Sequence, residues 1–236
     1  MQRRVLALAA ATALVPLFLT APPASAATPL CFGKVPTIVG TEGADTLVGA
    51  DTVSDVIYGG GGNDYISGGD FYGPQTVRDF LCGGPGNDRV IGGPGNDSIN
   101  GGDGDNHVDG VRGSDLVQGN AGNDYVRDES HAEMDSGNDI LKGGTGNDTI
   151  TIGWGVDKAY GEAGHDTILD YECDKSYLYG GGGNDVFESY RSSFDAPSNC
   201  NSAVADVING NAGIDRAPVN QIDSVTAVET VTRVPV

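Results

Sequence analysis

The chain has 236 residues, enough for one or two ordinary domains, and sets 38 glycines and 33 acidic residues against 13 lysines and arginines, a formal charge of −20. Such a chain repels nucleic acid and anionic membrane surfaces and attracts cations, which sets aside a nucleic-acid-binding role. Acidic composition poor in aromatics also suits a disordered chain, so order has to be argued from pattern.

The N-terminus opens with Arg3 and Arg4, continues in an apolar run from Val5 to Thr20 and reaches the small residues Ala24-Ser25-Ala26. This pattern predicts a secretory signal peptide over residues 1–26, cleaved after Ala26, and a secreted, extracellular chain. The competing reading, a membrane anchor, suits a short run interrupted by Pro16 poorly, and no other segment approaches the roughly 20 apolar residues of a membrane span. Cys31, Cys82, Cys173 and Cys200 are even in number and none stand at a CxxC spacing. Outside the cytosol they read as two disulfides rather than a metal site.

From Cys31 onward the chain repeats every nine residues. Gly83-Gly84-Pro85-Gly86-Asn87-Asp88-Arg89-Val90-Ile91 is followed directly by Gly92-Gly93-Pro94-Gly95-Asn96-Asp97-Ser98-Ile99-Asn100. Five units run unbroken from Gly83 to Arg127, four more from Met134 to Leu169, and with the weaker copies there are eighteen. Position 8 is apolar in every unit, from Ile38 and Leu47 through Ile99 and Leu141 to Ile208 and Ala217. Position 6 is Asp in all but three, where Pro36, Asn106 and Ser176 stand. A disordered chain has no reason to keep an apolar residue at every ninth place. Glycines at positions 1, 2 and 4 predict a turn over the first six residues, and the last three predict a short strand with its middle side chain inward. A three-residue strand buries nothing alone, whereas stacked copies form parallel ladders around a shared apolar stripe.

These units resemble the GGxGxDxUx repeats of the RTX, or hemolysin-type, calcium-binding proteins, over about residues 31–218. The resemblance implies an all-β fold, a right-handed parallel β-roll of about nine coils of two nonapeptides each, with short terminal caps. It implies several Ca²⁺ ions between the turns of successive coils, held by position-6 carboxylates and turn carbonyls. The ligands it assigns are Asp64, Asp88, Asp97, Asp115, Asp124, Asp139, Asp148, Asp157, Asp166 and Asp185, with Asp45, Asp55, Asp79, Asp206 and Asp215 in less regular units. Asn106 would offer one neutral oxygen, and Pro36 and Ser176 no carboxylate. Calcium suits such turns because it takes 6 to 8 oxygens in irregular geometry, which Mg²⁺ does not. Stacked aspartates repel one another, so the ion is expected to drive folding.

Counted in pairs from Cys31, the extra residues near Gly49, at 68–73 and 128–133, at Asp170 and at 189–200 all follow an even unit. With two units per coil, these loops leave one edge of the roll, which carries Phe71, Tyr72, His131, Tyr190 and Phe194. That edge is either a permissive corner or a partner-binding surface. The same map pairs Cys173 with Cys200 and leaves Cys31 with Cys82, two coils apart. Residues 27–218 form the roll. Residues 219–236, with Val225, Val228, Val231 and Val234, are expected to cap it at the C-terminal end.

No catalytic residues are expected. There is no HExxH (His131 precedes Ala132, Glu133, Met134 and Asp135), no GxSxG elbow and no phosphate-binding GK[ST]. The function read from the chain is a secreted calcium-binding repeat protein that is not an enzyme. The alternative is a calcium-stiffened structural or adhesive module binding an unidentified protein or surface along its loop edge, and an unrecognised hydrolase stands third. RTX export commonly uses a C-terminal signal; this chain departs from that with its N-terminal one.

Overall fold

The computed structural model describes residues 29–70, 77–128, 137–170, 174–189, 207–213, 216–219, 224–226 and 230–233. The expected signal segment, Cys173, Cys200, Asp206, Asp215 and the loop residues Phe71, Tyr72, His131, Tyr190 and Phe194 lie outside them. Among the described residues no helix is long and apolar enough to cross a membrane.

Twenty strands follow one another. The first ten are β1 (Ile38–Val39), β2 (Thr46–Val48), β3 (Val56–Tyr58), β4 (Tyr65–Ser67), β5 (Phe80–Pro85), β6 (Arg89–Pro94), β7 (Ser98–Asp103), β8 (His107–Arg112), β9 (Leu116–Ala121) and β10 (Tyr125–Arg127). The rest are β11 (Ile140–Thr145), β12 (Thr149–Ile152), β13 (Lys158–Ala163), β14 (Thr167–Asp170), β15 (Tyr177–Gly182), β16 (Val186–Ser189), β17 (Val207–Ala212), β18 (Arg216–Val219), β19 (Ser224–Thr226) and β20 (Thr230–Arg233). Odd strands form one ten-stranded sheet and even strands another, each in chain order. Every pairing between strands is parallel, so each odd–even pair is one coil of a β-roll. Residues 224–226 and 230–233, from the segment expected to cap the roll, add a tenth rung to each sheet in register, with Ile208 opposite Val225 and Ala217 opposite Val231.

The register explains the nine-residue period. Position 8 stacks on position 8: Leu81 on Ile99, Ile99 on Val117, Val117 on Leu141 in one sheet, and Val90 on Val108, Val108 on Val126, Val126 on Ile150 in the other. These side chains are fully buried and form one continuous core from Ile57 to Ile208, with Ile38 and Leu47 packed on its N-terminal end. Position 8 points inward and its neighbours at 7 and 9 point outward, as a strand's alternation requires.

Many strands run six residues instead of the expected three, because the ladder continues past position 9 into the next turn: Gly84 pairs with Gly102 and Pro85 with Asp103. The bend is made at position 2 by a left-handed residue. Gly84 has φ 108°, and where the repeat lacks glycine there, Val111, Asn120, Glu162 and Asn211 still adopt φ 81°, 81°, 75° and 66°. The stacked ladder imposes this conformation on residues that avoid it.

At the N-terminal end Cys31 does not begin a repeat turn. Cys31 and Lys34 exchange backbone hydrogen bonds of 3.0 and 2.9 Å around a tight turn with positive φ at Phe32 and Gly33. This turn lies over the outer face of β3 and β5, where Cys31, Val56 and Cys82 form a second buried cluster against Phe32, Tyr58 and Phe80. The Cys31–Cys82 disulfide forms there, with Cα atoms 5.8 Å apart. Its partners sit in coils one and three because the segment folds across the sheet face instead of along the turn edge.

Leu141 stacks between Val117 and Ala159. Leu141→Ala therefore opens a void that small Ala159 cannot fill, and it should cost about 2–5 kcal/mol in denaturant unfolding.

Candidate metal centre

The turns stack as the strands do, and they place the position-6 residues in two columns. Asp45, Asp64, Asp88, Asn106, Asp124, Asp148, Asp166 and Asp185 line the turns from odd to even strands. Asp55, Asp79, Asp97, Asp115, Asp139 and Asp157 line the turns from even to odd strands. Within each column the backbone N–H of one residue donates to Oδ1 of the residue one coil on. These bonds are 2.8 Å from Asp64 to Asp88, 2.7 Å from Asp97 to Asp115, 2.6 Å from Asp115 to Asp139 and 2.9 Å from Asp166 to Asp185. The ladder buries the carboxylates: Asp64, Asp88, Asp97, Asp115, Asp124, Asp148, Asp157 and Asp166 are all nearly inaccessible.

The second oxygen is where the turns become chemically unusual. Oδ2 of each of those eight aspartates is buried and accepts no hydrogen bond. Burying an unpaired carboxylate oxygen is costly unless a proton or cation answers it. Further oxygens pack around the position-1 glycine. A Cβ on Gly92 would lie 2.8 Å from Asp97 Oδ2 and 2.6 Å from the Gly110 carbonyl oxygen of the next coil. The position-1 glycine has no room for a side chain, and its bare Cα lets carboxylate and carbonyl oxygens close in on it. At position 4 glycine has a different reason: Gly86 has φ 142° and a Cβ there would overlap the Gly62 carbonyl below it. A cavity of about 10 Å³ near Asp51, Asp70, Asp79 and Gly92 is the size of one water or ion.

Burial dominates the electrostatics. It raises Asp79, Asp88, Asp124 and Asp148 to about 6, Asp97 and Asp166 to about 7, Asp157 to about 8 and Asp115 to about 9, with backbone N–H donation pulling against it and neighbouring carboxylates adding to it. Asp64 is raised for the same reasons.

The turns are not equivalent. Asp45 Oδ2 accepts from the Thr41 N–H at 2.6 Å and hydroxyl at 2.8 Å, and Asp55 Oδ2 from the Ala50 N–H at 2.6 Å. These two expected ligands are already answered by protein donors. Asn106 does not offer the neutral oxygen expected of it: its Oδ1 accepts from the Asp88 N–H at 2.9 Å, and its Nδ2 donates to the Gly104 carbonyl at 2.9 Å. Ser176 is buried in its turn.

Two acidic residues escaped the repeat-based reading. Asp128 and Asp170 are 2% and 1% exposed and stand where the next unit's first glycine belongs: Asp170 pairs with Ile152, and the Asp128 N–H donates to Thr151. Burial, and then Asp139 and its neighbours, push the Asp128 carboxyl well up. An aspartate directly after a completed ninth position was the signal for both.

A second hydrogen-bond ladder also went unread. Position-5 side chains accept from the position-5 N–H one coil on, as Asn63 does from Asn87 at 2.9 Å, Asn123 from Asn147 at 2.8 Å and Asn147 from His165 at 2.8 Å. It runs opposite in direction to the aspartate ladder, and the two together clamp each turn to the next. The Asn of the recurring GND triplets was its signature.

Among the described residues no three His, Cys, Asp or Glu side chains meet at one point. A cation in these turns has to be held by a mixed set of aspartate and carbonyl oxygens. Hard oxygens of mixed charge in irregular turns fit calcium better than the tight octahedron of magnesium or the nitrogen and sulfur sets of zinc.

The raised carboxyls set a pH dependence. In the folded roll they hold protons that the unfolded chain, titrating near 4, has already lost, so the ion-free fold loses stability as pH rises from about 4 through 6 to 9. Calcium-depleted protein should show more β signal by circular dichroism at pH 4.5 than at pH 8.

The family model of the RTX calcium-binding nonapeptide repeat matches residues 37–52, 54–72, 83–117, 103–127, 135–168 and 176–189, more than half of the chain. No curated protein matches it. The stacked turns, the two aspartate columns and this match together make the chain a member of the RTX calcium-binding nonapeptide repeat family.

Proposed function

We propose that this protein is a secreted calcium-binding roll that folds on binding the ion, and that its activity is ion binding rather than catalysis. The observation that carries the reading is the set of buried Oδ2 atoms without donors, all but that of Asp157 packed against a position-1 glycine that has no room for a side chain. Asp64, Asp88, Asp97, Asp115, Asp124, Asp148 and Asp166 are the ligands this supports, with turn carbonyls completing the set; Asp79, Asp139, Asp157 and Asp185 occupy the same repeat position. Asp206 and Asp215 continue the same repeat positions. Calcium bound there supplies positive charge that cancels the repulsion between stacked carboxylates and carbonyls.

The residues themselves divide the work. Oδ1 holds the backbone of the preceding coil, so each aspartate stays in place whether or not Oδ2 is engaged. Glycine at position 1 lets the carboxylate and carbonyl oxygens come close, and the position-8 stripe gathers the coils once the turns close. Without the ion, the two columns load like charge along both edges of a narrow roll, and stability depends on neutralising it. The Cys31–Cys82 disulfide supports an oxidising compartment, in keeping with export.

Titrating the disulfide-intact chain with CaCl₂ from chelator to about 10 mM should give a cooperative rise in far-UV β signal that MgCl₂ does not reproduce. A chain already fully folded in chelator at pH 8 would refute ion-driven folding.

A further inference from the structure

The turn joining β7 to β8 meets the same geometric demand as its neighbours with different chemistry. Asn106 is buried, and its backbone N–H donates to Asp124 Oδ1 at 2.8 Å while its Oδ1 receives the Asp88 N–H at 2.9 Å. The aspartate ladder therefore passes through it unbroken. The difference lies in the other side-chain atom. Nδ2 lies 2.9 Å from the position that a Cβ on Gly101 would take, as Asp97 Oδ2 lies 2.8 Å from that of Gly92. The amide nitrogen thus occupies the place where the neighbouring turns carry their unanswered oxygen. From there it reaches the Gly104 carbonyl at 2.9 Å and the Gly102 carbonyl at 3.4 Å.

We propose that Asn106 closes its turn without an ion, its amide standing where the neighbouring turns require calcium; the proposal rests on the calcium reading of those turns. An amide has two N–H donors, and here both face turn carbonyls. The oxygens that an aspartate at this place would leave facing one another are satisfied by a neutral group of nearly the same shape. The same N–H groups repel a cation and fill its space. The odd-to-even column is consequently split into two ion-dependent runs, Asp64 with Asp88 on one side and Asp124, Asp148, Asp166 and Asp185 on the other. The neutral rung between them stays closed at calcium levels too low to hold its neighbours, and gives the middle of the roll a fixed point from which the coils on either side wind.

The test is a reciprocal exchange read as bound ions per chain. Wild-type protein, Asn106→Asp and Asp148→Asn, with disulfides intact, are equilibrated with about 10 mM CaCl₂ and their bound calcium counted by equilibrium dialysis, with far-UV circular dichroism in parallel. Asn106→Asp is expected to bind at least one ion more than wild type, and its folding midpoint to move to higher calcium because its ion-free rung is gone. Asp148→Asn is expected to bind at least one ion fewer while keeping the wild-type β signal at saturation. An Asn106→Asp protein that binds the wild-type number of ions, or fails to fold at saturating calcium, overturns the assignment, as does an Asp148→Asn protein that keeps its full complement. Wild-type protein that binds no calcium at all would overturn the calcium reading of the roll itself, a result distinct from any of these.

Discussion

The division of labour within one carboxylate governs this molecule. Oδ1 of each position-6 aspartate from Asp64 to Asp185 is committed to the backbone N–H of the coil before it, which pulls successive turns into contact and carries the side chain out of water. In Asp64, Asp88, Asp97, Asp115, Asp124, Asp148, Asp157 and Asp166 the Oδ2 is then left buried with nothing to accept from. The hydrogen bond that builds the roll thereby creates its electrostatic problem, and burial shows the size of that problem in carboxyls raised as far as about 9. A structure so arranged stays closed only when protons, a cation or a substituted donor answer those oxygens.

The rest of the architecture follows from letting the turns approach that closely. Where glycine stands at positions 1 and 4 a Cβ would meet a neighbouring oxygen, and the left-handed bend at position 2 is imposed even on Val111 and Glu162. With the turns in contact, strands pair at every rung, and one inward residue per strand is enough to build a core. Each such residue is small in area, yet stacking makes them continuous, and this is why no single coil is a folding unit.

The molecule also meets its oxygen problem in ways that need no ion. Thr41 and Ala50 supply donors to Asp45 and Asp55 at the N-terminal end, where the disulfide and the aromatic cluster around Cys31 add stability independent of the turns. Asn106 supplies its own donor in mid-roll. The position-5 ladder runs opposite to the aspartate ladder and spreads the inter-turn hydrogen bonding over neutral groups. The unanswered oxygens are therefore spread unevenly along the described residues.

Much of this was legible before any coordinates. The nine-residue period, the apolar eighth position and the aspartate column followed from the sequence because each unit repeats one local solution, and a repeated solution leaves a statistical trace. What only the tertiary structure decided depends on contacts between units and on which way a side chain turns within its own. Asp45 and Asp97 look alike in the alignment, yet Thr41 answers one and nothing answers the other. Asn106 reads as a weakened ligand in sequence, while its amide orientation makes it a donor. Cys31 begins a nonapeptide on paper but folds across the outer face of β3 and β5. Asp128 and Asp170 look like linker residues until stacking buries them. The deciding contact runs between residues some 18 to 51 positions apart or, for Asp45 and Asn106, between a side chain and its own turn, and period and composition hold no information on which way a polar atom turns once the coils are stacked.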